Sequence, residues 1–144
     1  MILISHRGNI NGRIPEEENK PEYILGAIKQ GYDCEIDVWF TEKGLYLGHD
    51  HPTFVVPPDF LRQKGLWCHA KNLGALNYLL KNNIHCFWHQ EDDYTITSRG
   101  VIWVYPGKPL SYNSICVMPE YVNRNFEGLN MCAGVCSDII GDFK

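Results

Sequence analysis

The chain has 144 residues, of which 44% are hydrophobic and 21% are charged, and its formal net charge is −4. This profile predicts one globular domain spanning residues 1–144. The acidic balance argues against a nucleic-acid partner, which needs a basic surface. No apolar run reaches the roughly 20 residues of a membrane helix. The first apolar run is too short for a signal sequence, so we expect a cytoplasmic protein.

Apolar runs recur along the whole chain and predict strands. They cover residues 2–5, 34–40, 45–48, 66–70, 84–88, 101–105, 115–118 and 133–136. The six cysteines lie mostly inside these runs, and none has the Cys-x-x-Cys spacing of a zinc or redox site. We therefore expect free, buried thiols that pack as small hydrophobic groups.

Two helical patterns separate the early strands. Asn19 is expected to cap the first helix, with Pro21 in its first turn and Gly31 at its end. Asn72 is expected to cap the second helix. The apolar stripe of that second helix is predicted to comprise Leu73, Leu76, Tyr78, Leu79 and Leu80.

The alternation of strands and helices predicts parallel βαβ units and an α/β fold. In the second half, the connections 107–113 and 120–130 leave little room for helices. A complete (β/α)₈ barrel usually needs roughly 200–250 residues. The pattern therefore fits either a much abbreviated barrel or an open α/β sheet.

Two carboxylates, Glu35 and Asp37, are candidate metal ligands. Residues two apart in a strand share a face, so both side chains point the same way. Neighbouring carboxylates repel each other unless a cation lies between them. Oxygen ligands of this kind suit Mg²⁺, Ca²⁺ or Mn²⁺. The alternative is a solvated strand end that holds no metal.

Further candidate site residues follow strand-like runs. His6 and Arg7 come directly after the first run, and His49 and Asp50 follow the run 45–48. The carboxyl end of a parallel strand is the functional side of α/β folds. A guanidinium group suits phosphate oxygens, and imidazole titrates near neutral pH. Together these residues indicate a site for a phosphate ester beside a divalent cation.

Taken in order, the motifs resemble the glycerophosphodiester phosphodiesterase family. The resemblance is carried by Ser5-His6-Arg7-Gly8, Glu18-Asn19, Glu35-Ile36-Asp37-Val38, Thr41-Glu42-Lys43-Gly44 and His49-Asp50. It covers the first fifty or so residues densely. It implies an abbreviated TIM-type (β/α) barrel with several helices shortened or missing. It also implies a phosphoric diester hydrolase of phospholipid metabolism that cleaves a glycerophosphodiester-like or other small phosphodiester.

The resemblance also implies roles for individual residues. His6 and His49 would act as acid and base, and Glu35 and Asp37 would hold a divalent cation. Arg7 would contact the phosphate. These roles apply to the positions that match the family's motifs.

Two later segments extend the resemblance. In the segment 66–71 the family's lysine is present as Lys71, and its third metal carboxylate is replaced by His69. Trp67, His69 and Lys71 are predicted to share a face. Imidazole binds Mn²⁺ and other transition metals better than Ca²⁺ or Mg²⁺. Lys71 and, by a looser match, Trp103 would bind the substrate.

Other segments are similar or ambiguous. The residues 134–138 are similar to the family's closing strand. His89 or Glu91 could compensate for the missing carboxylate, although an acidic loop after a strand is the simpler interpretation. Glu120 has the same ambiguity.

Two other functions stay open. One is a non-catalytic relative that binds a sugar phosphate or a phosphodiester, which would fit the unusual His69. The other is a different reaction on the same scaffold, such as phosphodiester elimination or transphosphatidylation. Missing helices would expose apolar strand faces, so we also expect a homo-oligomer.

Overall fold

The computed structural model describes residues 1–123 and 127–144, which form a mixed α/β fold. Ten strands join in one curled sheet, and the described part of the chain contains two α-helices. The strands are β1 Ile2–His6, β2 Asp33–Thr41, β3 Gly44–Leu47, β4 Phe54–Val56, β5 Leu66–Ala70, β6 Cys86–Phe87, β7 Tyr94–Ile96, β8 Ile102–Val104, β9 Ser114–Val117 and β10 Gly134–Ser137. The helices are α1 Pro21–Lys29 and α2 Leu73–Lys81. Short 3₁₀ helices span Pro58–Arg62, Pro119–Tyr121 and Ile140–Phe143.

Parallel pairing places the first strand beside the last. The parallel order is β6–β5–β2–β1–β10–β9–β8, and Ile4 of β1 lies opposite Cys136 of β10. Antiparallel β3 and β4 extend β2, and β7 pairs with β8. Among the described residues no ladder joins β6 to β8, although Ser98 N donates to Cys86 O at 2.7 Å. The predicted α/β class is confirmed.

The concave face of the sheet is filled by aromatic rings. Phe87 and Trp103 have ring centroids 4.6 Å apart, and Trp67 and Trp103 have centroids 5.9 Å apart. The same buried cluster includes one residue each from β1, β9 and β10, namely Ile4, Ile115 and Cys136. Side chains from six strands therefore meet in one layer, which supports the polar groups beyond it.

The two helices cover the opposite face of β2 and β5. Ile24 of α1 and Leu79 of α2 pack in one buried cluster with Cys34, Ile36 and Val38 of β2. The alternation predicted for β2 is confirmed, with the apolar residues towards the helices. The carboxylates Glu35 and Asp37 of the same strand therefore point to the concave side.

The two predicted helix caps have different outcomes. Asn72 caps α2, because its side chain accepts a hydrogen bond from Ala75 N at 2.8 Å. The cap predicted at Asn19 is wrong, since Lys20 precedes α1 and no side chain caps it. The Asn19 side chain bonds Asp37 instead.

The apolar stripe predicted for α2 is partly wrong. Leu73 and Leu80 are 66% and 52% exposed, whereas Ala75 and Leu79 are fully buried. A helix of nine residues can present only a narrow face to the sheet, and the face around Leu79 packs on β2, β5 and β6.

All six cysteines are free and buried, as predicted. Burial raises the pKa of the Cys34, Cys68 and Cys136 thiols, so they stay protonated. No helix in residues 1–123 or 127–144 is both long and apolar enough to span a bilayer. The connection 107–113 contains no helix, whereas the connection 120–130 overlaps the 3₁₀ helix Pro119–Tyr121. Residues 124–126 of that connection lie outside the described part.

His85 is a buried histidine at the amino end of β6. Its ring packs against Trp67 in a tilted arrangement with centroids 4.3 Å apart, and Nε2 lies 2.8 Å from Thr97 Oγ1. Burial and, to a smaller extent, the positive charge of Arg99 lower the pKa of His85 to about 4. His85 is therefore neutral in the folded protein at neutral pH.

The buried face of α2 predicts unequal effects of two leucine truncations. Leu79→Ala should lower the free energy of unfolding by about 2–5 kcal/mol, because it leaves a cavity in the core. Leu80→Ala, one residue away and exposed, should change it by less than about 0.5 kcal/mol. Equilibrium unfolding in urea measures both, and equal losses would contradict the assigned helix face.

Burial of neutral His85 predicts a pH-dependent stability. The unfolded chain takes up the proton near the ordinary pKa of 6.5, whereas the folded chain does so only near pH 4. The free energy of unfolding should therefore fall as pH drops from 6.5 to 4, by up to about 1.4 kcal/mol per pH unit.

The variant His85→Gln keeps a polar partner for Thr97 but does not titrate, so its pH dependence should be flatter in that window. Urea unfolding at a series of pH values provides the comparison. Identical slopes for the two proteins would show that His85 is not held neutral.

Candidate active site

A cleft of about 470 Å³ opens at the carboxyl ends of the central parallel strands. Seven of the eight residues predicted for the site line it: His6, Arg7, Glu35, His49, His69, Lys71 and Trp103. The eighth, Asp37, is fully buried beside Glu35 and His69. The fold therefore brings the predicted residues together.

Strand register explains this convergence. In the parallel ladders His6 of β1 lies opposite Glu35 of β2, and Asp37 lies opposite His69 of β5. Residues directly opposite each other in a ladder point to the same face. Lys71 follows two residues after His69 and keeps that orientation.

The two carboxylates are buried with incomplete hydrogen bonding. Glu35 is 2% exposed and Asp37 is 0% exposed. Glu35 Oε2 and Asp37 Oδ1 are buried oxygens without a hydrogen-bond partner in the described part of the chain. The His69 Nδ1 atom lies 3.3 Å from Asp37 Oδ1 and 3.7 Å from Glu35 Oε1. Of the two unpartnered oxygens, Asp37 Oδ1 therefore lies beside the His69 ring, whereas Glu35 Oε2 lies 3.8 Å from His6 Nε2.

Asp37 is fixed by its other oxygen and by its backbone. Asn19 Nδ2 donates to Asp37 Oδ2 at 2.9 Å, and Asn19 Oδ1 accepts from Asp37 N at 2.9 Å. Arg7 Nε lies 3.0 Å from Asp37 Oδ2. Burial alone raises the pKa of Asp37, but His69 and Arg7 outweigh it and hold that pKa well below its usual range. Asp37 is therefore a charged carboxylate.

His69 is oriented by a backbone carbonyl. Its Nε2 donates to His89 O at 2.9 Å, so Nδ1 faces Glu35 and Asp37. Burial lowers the pKa of His69, but the nearby carboxylates of Asp37 and Glu35 outweigh it and raise that pKa to about 9. In the absence of a metal, His69 is therefore an imidazolium that partly neutralises the carboxylates.

The donor set fits a divalent cation. Glu35, Asp37 and His69 each offer one ligand atom, and these atoms lie within 4.8 Å of one another. Two carboxylate oxygens without hydrogen-bond partners are suitable ligands, and so is His69 Nδ1, whose ring is oriented by the bond from Nε2 to His89 O. These three residues could hold the metal ion.

Arg7 is held by acidic groups below the cleft. It adopts φ +56°, next to Gly8 at φ +98°, where a Cβ would collide with the Tyr23 ring. Arg7 Nη1 donates to Glu18 Oε2 at 3.2 Å while Nε faces Asp37. Its guanidinium thus compensates two buried carboxylates and contributes one edge to the cleft.

His6 belongs to a histidine–carboxylate pair. Its Nδ1 lies 2.7 Å from Asp138 Oδ1, and Asn9 Nδ2 donates to the same oxygen at 2.8 Å. Burial lowers the pKa of His6, but the bond to Asp138 and the charge of Glu35 outweigh it and raise that pKa. With Nδ1–H donating to Asp138, Nε2 is the nitrogen that faces Glu35, at 3.8 Å from Oε2.

His49 forms a second pair on the far side of the cleft. It follows Gly48, whose φ of +154° and close approach to His51 O leave no room for a Cβ. His49 Nδ1 lies 2.7 Å from Asp50 Oδ1, and its side chain is 44% exposed. Two imidazoles with carboxylate-paired Nδ1 atoms therefore border one cleft.

The remaining predicted residues occupy different depths. Lys71 Nζ lies 3.9 Å from Asp37 Oδ1 at the cleft wall. Trp103 forms the floor, because it is 5% exposed and packs on Phe87. Of the two residues proposed to compensate for the missing carboxylate, His89 lines the cleft, whereas Glu91 is exposed and does not.

Several site residues were not assigned a role from the sequence. Asp138 orients His6, and Glu18 binds both Arg7 and Arg13, the latter through Nε at 2.8 Å. Glu120, which the sequence left ambiguous, accepts hydrogen bonds from Ser137 Oγ and Asp138 N and so supports the end of β10. Strand alternation could have identified Asp138, because it lies two residues after Cys136 at the carboxyl end of β10.

No protein-family model matches the chain, and no curated protein or solved structure matches it. The family resemblance in the sequence therefore stays a prediction that rests on the motifs.

The orphaned carboxylate oxygens predict saturable binding of Mn²⁺. Asp37→Asn should weaken it by more than about 100-fold, since loss of second-shell groups alone costs roughly 10–100-fold. Glu91→Gln, an exposed acidic residue near the cleft, is the matched control and should bind as the native protein does. Electron paramagnetic resonance of free Mn²⁺ gives the affinities, and circular dichroism verifies the fold. Unchanged affinity in both Asp37→Asn and Glu35→Gln would exclude this site.

Proposed function

We propose that the protein is a metal-dependent phosphodiesterase that resembles the glycerophosphodiester phosphodiesterase family. The observation that carries this proposal is that two histidine–carboxylate pairs and a buried Glu35–Asp37–His69 group border the same cleft. Its substrate would be a glycerophosphodiester-like or other small phosphodiester.

The sheet supports a finer fold assignment within this proposal. Seven parallel strands lie in sequential order, and the first pairs with the last, as in a (β/α) barrel. The side chains of β6 and β8 are in contact on the concave side. We therefore propose an abbreviated TIM-type barrel in which most outer helices are replaced by short connections.

In the proposed mechanism Glu35, Asp37 and His69 hold a divalent cation. When bound, such an ion supplies Lewis-acid stabilisation of a phosphoryl oxygen. The mixed oxygen and nitrogen donors favour Mn²⁺ or another transition metal over Ca²⁺ and Mg²⁺. The ammonium group of Lys71 and the exposed edge of Arg7 would attract the diester and stabilise negative charge as it develops.

The two histidines would carry the protons. The Nε2 atom of one would accept the proton of the attacking water or hydroxyl, and the Nε2–H of the other would donate to the leaving alkoxide. Asp138 and Asp50 would fix the tautomer of His6 and His49, respectively, through Nδ1. The rings of Trp103 and Phe87 would exclude water from the floor of the cleft.

A second candidate is a non-catalytic protein that binds a phosphodiester or a sugar phosphate. One observation favours it. The His69 imidazolium and the Arg7 guanidinium already balance the charges of Glu35 and Asp37 without a metal ion. Such a centre would present Lys71 to an anion but have no reaction to catalyse.

Location and assembly are also proposals. A cytoplasmic site of action would give the protein access to soluble phosphodiesters. Self-association would cover exposed apolar side chains, which include Val55, Ile96 and Tyr112.

The proposed catalysis predicts a large loss in two histidine variants. His6→Asn and His49→Asn should each lower kcat for bis(p-nitrophenyl) phosphate with Mn²⁺ by about 10²–10⁴-fold, because each removes a positioned proton-transfer group. His51→Asn, an exposed neighbour, should keep native activity. Release of p-nitrophenol measures the rates.

Native rates in both His6→Asn and His49→Asn would contradict the proposed catalysis. Saturable Mn²⁺ and diester binding without any hydrolysis would instead support the non-catalytic candidate. Product analysis of a diester that carries a neighbouring hydroxyl distinguishes direct hydrolysis from formation of a cyclic phosphate.

A further inference from the structure

A second concave surface lies at the amino-terminal ends of β5 and β6. Its volume is about 330 Å³, and it is formed by residues 61–66, residues 83–85 and Arg99. His69 and Lys71 lie at the opposite, carboxyl end of β5. The two cavities therefore open on opposite ends of the sheet.

Three cations line this second cavity without acidic partners. They are Arg62, Lys64 and Arg99, and no carboxylate is among the lining residues. The ion pairs found between described residues involve other cations. The nearby carboxylate of Asp33 approaches Gly65 but is not among the lining residues, and its Oδ2 accepts a hydrogen bond from Trp67 Nε1 at 2.9 Å. In a chain of net charge −4, this cavity is a local reversal of sign.

His85 adds a buried hydrogen-bond donor to the same cavity. Thr97 Oγ1 accepts from the backbone N–H groups of Arg99 at 3.4 Å and Val101 at 3.2 Å. The Thr97 hydroxyl therefore donates its own proton in a hydrogen bond to His85 Nε2, 2.8 Å away. The neutral imidazole then carries its own proton on Nδ1, which has no partner among the described residues. His85 is 7% exposed and lines the cavity.

We propose that this cavity binds the phosphate group of a soluble small molecule. Arg62, Lys64 and Arg99 supply positive charge, and His85 Nδ1–H donates a hydrogen bond. Guanidinium, ammonium and N–H donors that line one cavity match the several acceptor oxygens of a tetrahedral dianion. The volume accommodates a phosphate with a small organic substituent, and the acidic remainder of the surface disfavours long polyanions. This site needs neither the metal centre nor the proposed phosphodiesterase activity.

Calorimetric titration of the whole, metal-free protein with inorganic phosphate tests the proposal. Binding should be saturable, and the backbone amide resonances of Gly65, Ile84 and His85 should shift. Arg99→Gln should weaken binding by about ten-fold, because a charged hydrogen bond is lost from the site. Lys29→Gln, an exposed cation on α1, is the matched control and should leave the affinity unchanged.

Other outcomes would overturn the proposal. These are the absence of saturation, shifts confined to the amides of His6, Gly8 and Lys71, or native affinity in both Arg99→Gln and Lys64→Gln. Glycerol 3-phosphate should also bind. Co-sedimentation with phosphatidate-containing vesicles in the absence of glycerol 3-phosphate binding would assign the cavity to a membrane lipid and refute a soluble ligand.

Discussion

Two buried carboxylates on one face of β2 are the constraint around which this structure is organised. Removing Glu35 and Asp37 from water is costly, and their mutual repulsion adds to that cost. The compensating groups come from the two neighbouring strands and their following loops: His6 and Arg7 from β1, and His69 and Lys71 from β5. The position of β2 between β1 and β5 therefore supplies the charge compensation that Glu35 and Asp37 need.

The surroundings of this pair give the site its rigidity. Below it, the rings of Trp67, Phe87 and Trp103 form an apolar floor that keeps water away. Beside it, the two hydrogen bonds of Asn19 fix both the side chain and the backbone of Asp37. A cation and a proton on His69 are alternative ways to stabilise the same oxygens. The two functions proposed above differ in which of these two groups stabilises the oxygens.

Strand periodicity predicted which side chains share the cleft, because alternation depends only on local backbone geometry. It placed Glu35, Asp37, His69 and Lys71 correctly on one side. The sequence did not identify the bonds that orient them. The His6–Asp138 bond joins residues 132 positions apart, and the role of Asn19 depends on its positive φ. The prediction that Leu73 and Leu80 belong to the buried stripe of α2 is wrong, because a nine-residue helix buries only a narrow face and the leucines surround more of it than that.

The pairing of the first strand with the last has a consequence for biosynthesis. Of the ten described strands β1 is synthesised first, but one of its two neighbours, β10, is synthesised last. Closing so long a loop has an entropic cost and slows folding, so one edge of β1 stays unpaired until β10 has been synthesised. During that interval His6 has no partner in Asp138, and the floor lacks Cys136. Assembly of the site is therefore coupled to synthesis of β10, and a nascent protein that has already folded α1 and α2 still lacks a complete cleft.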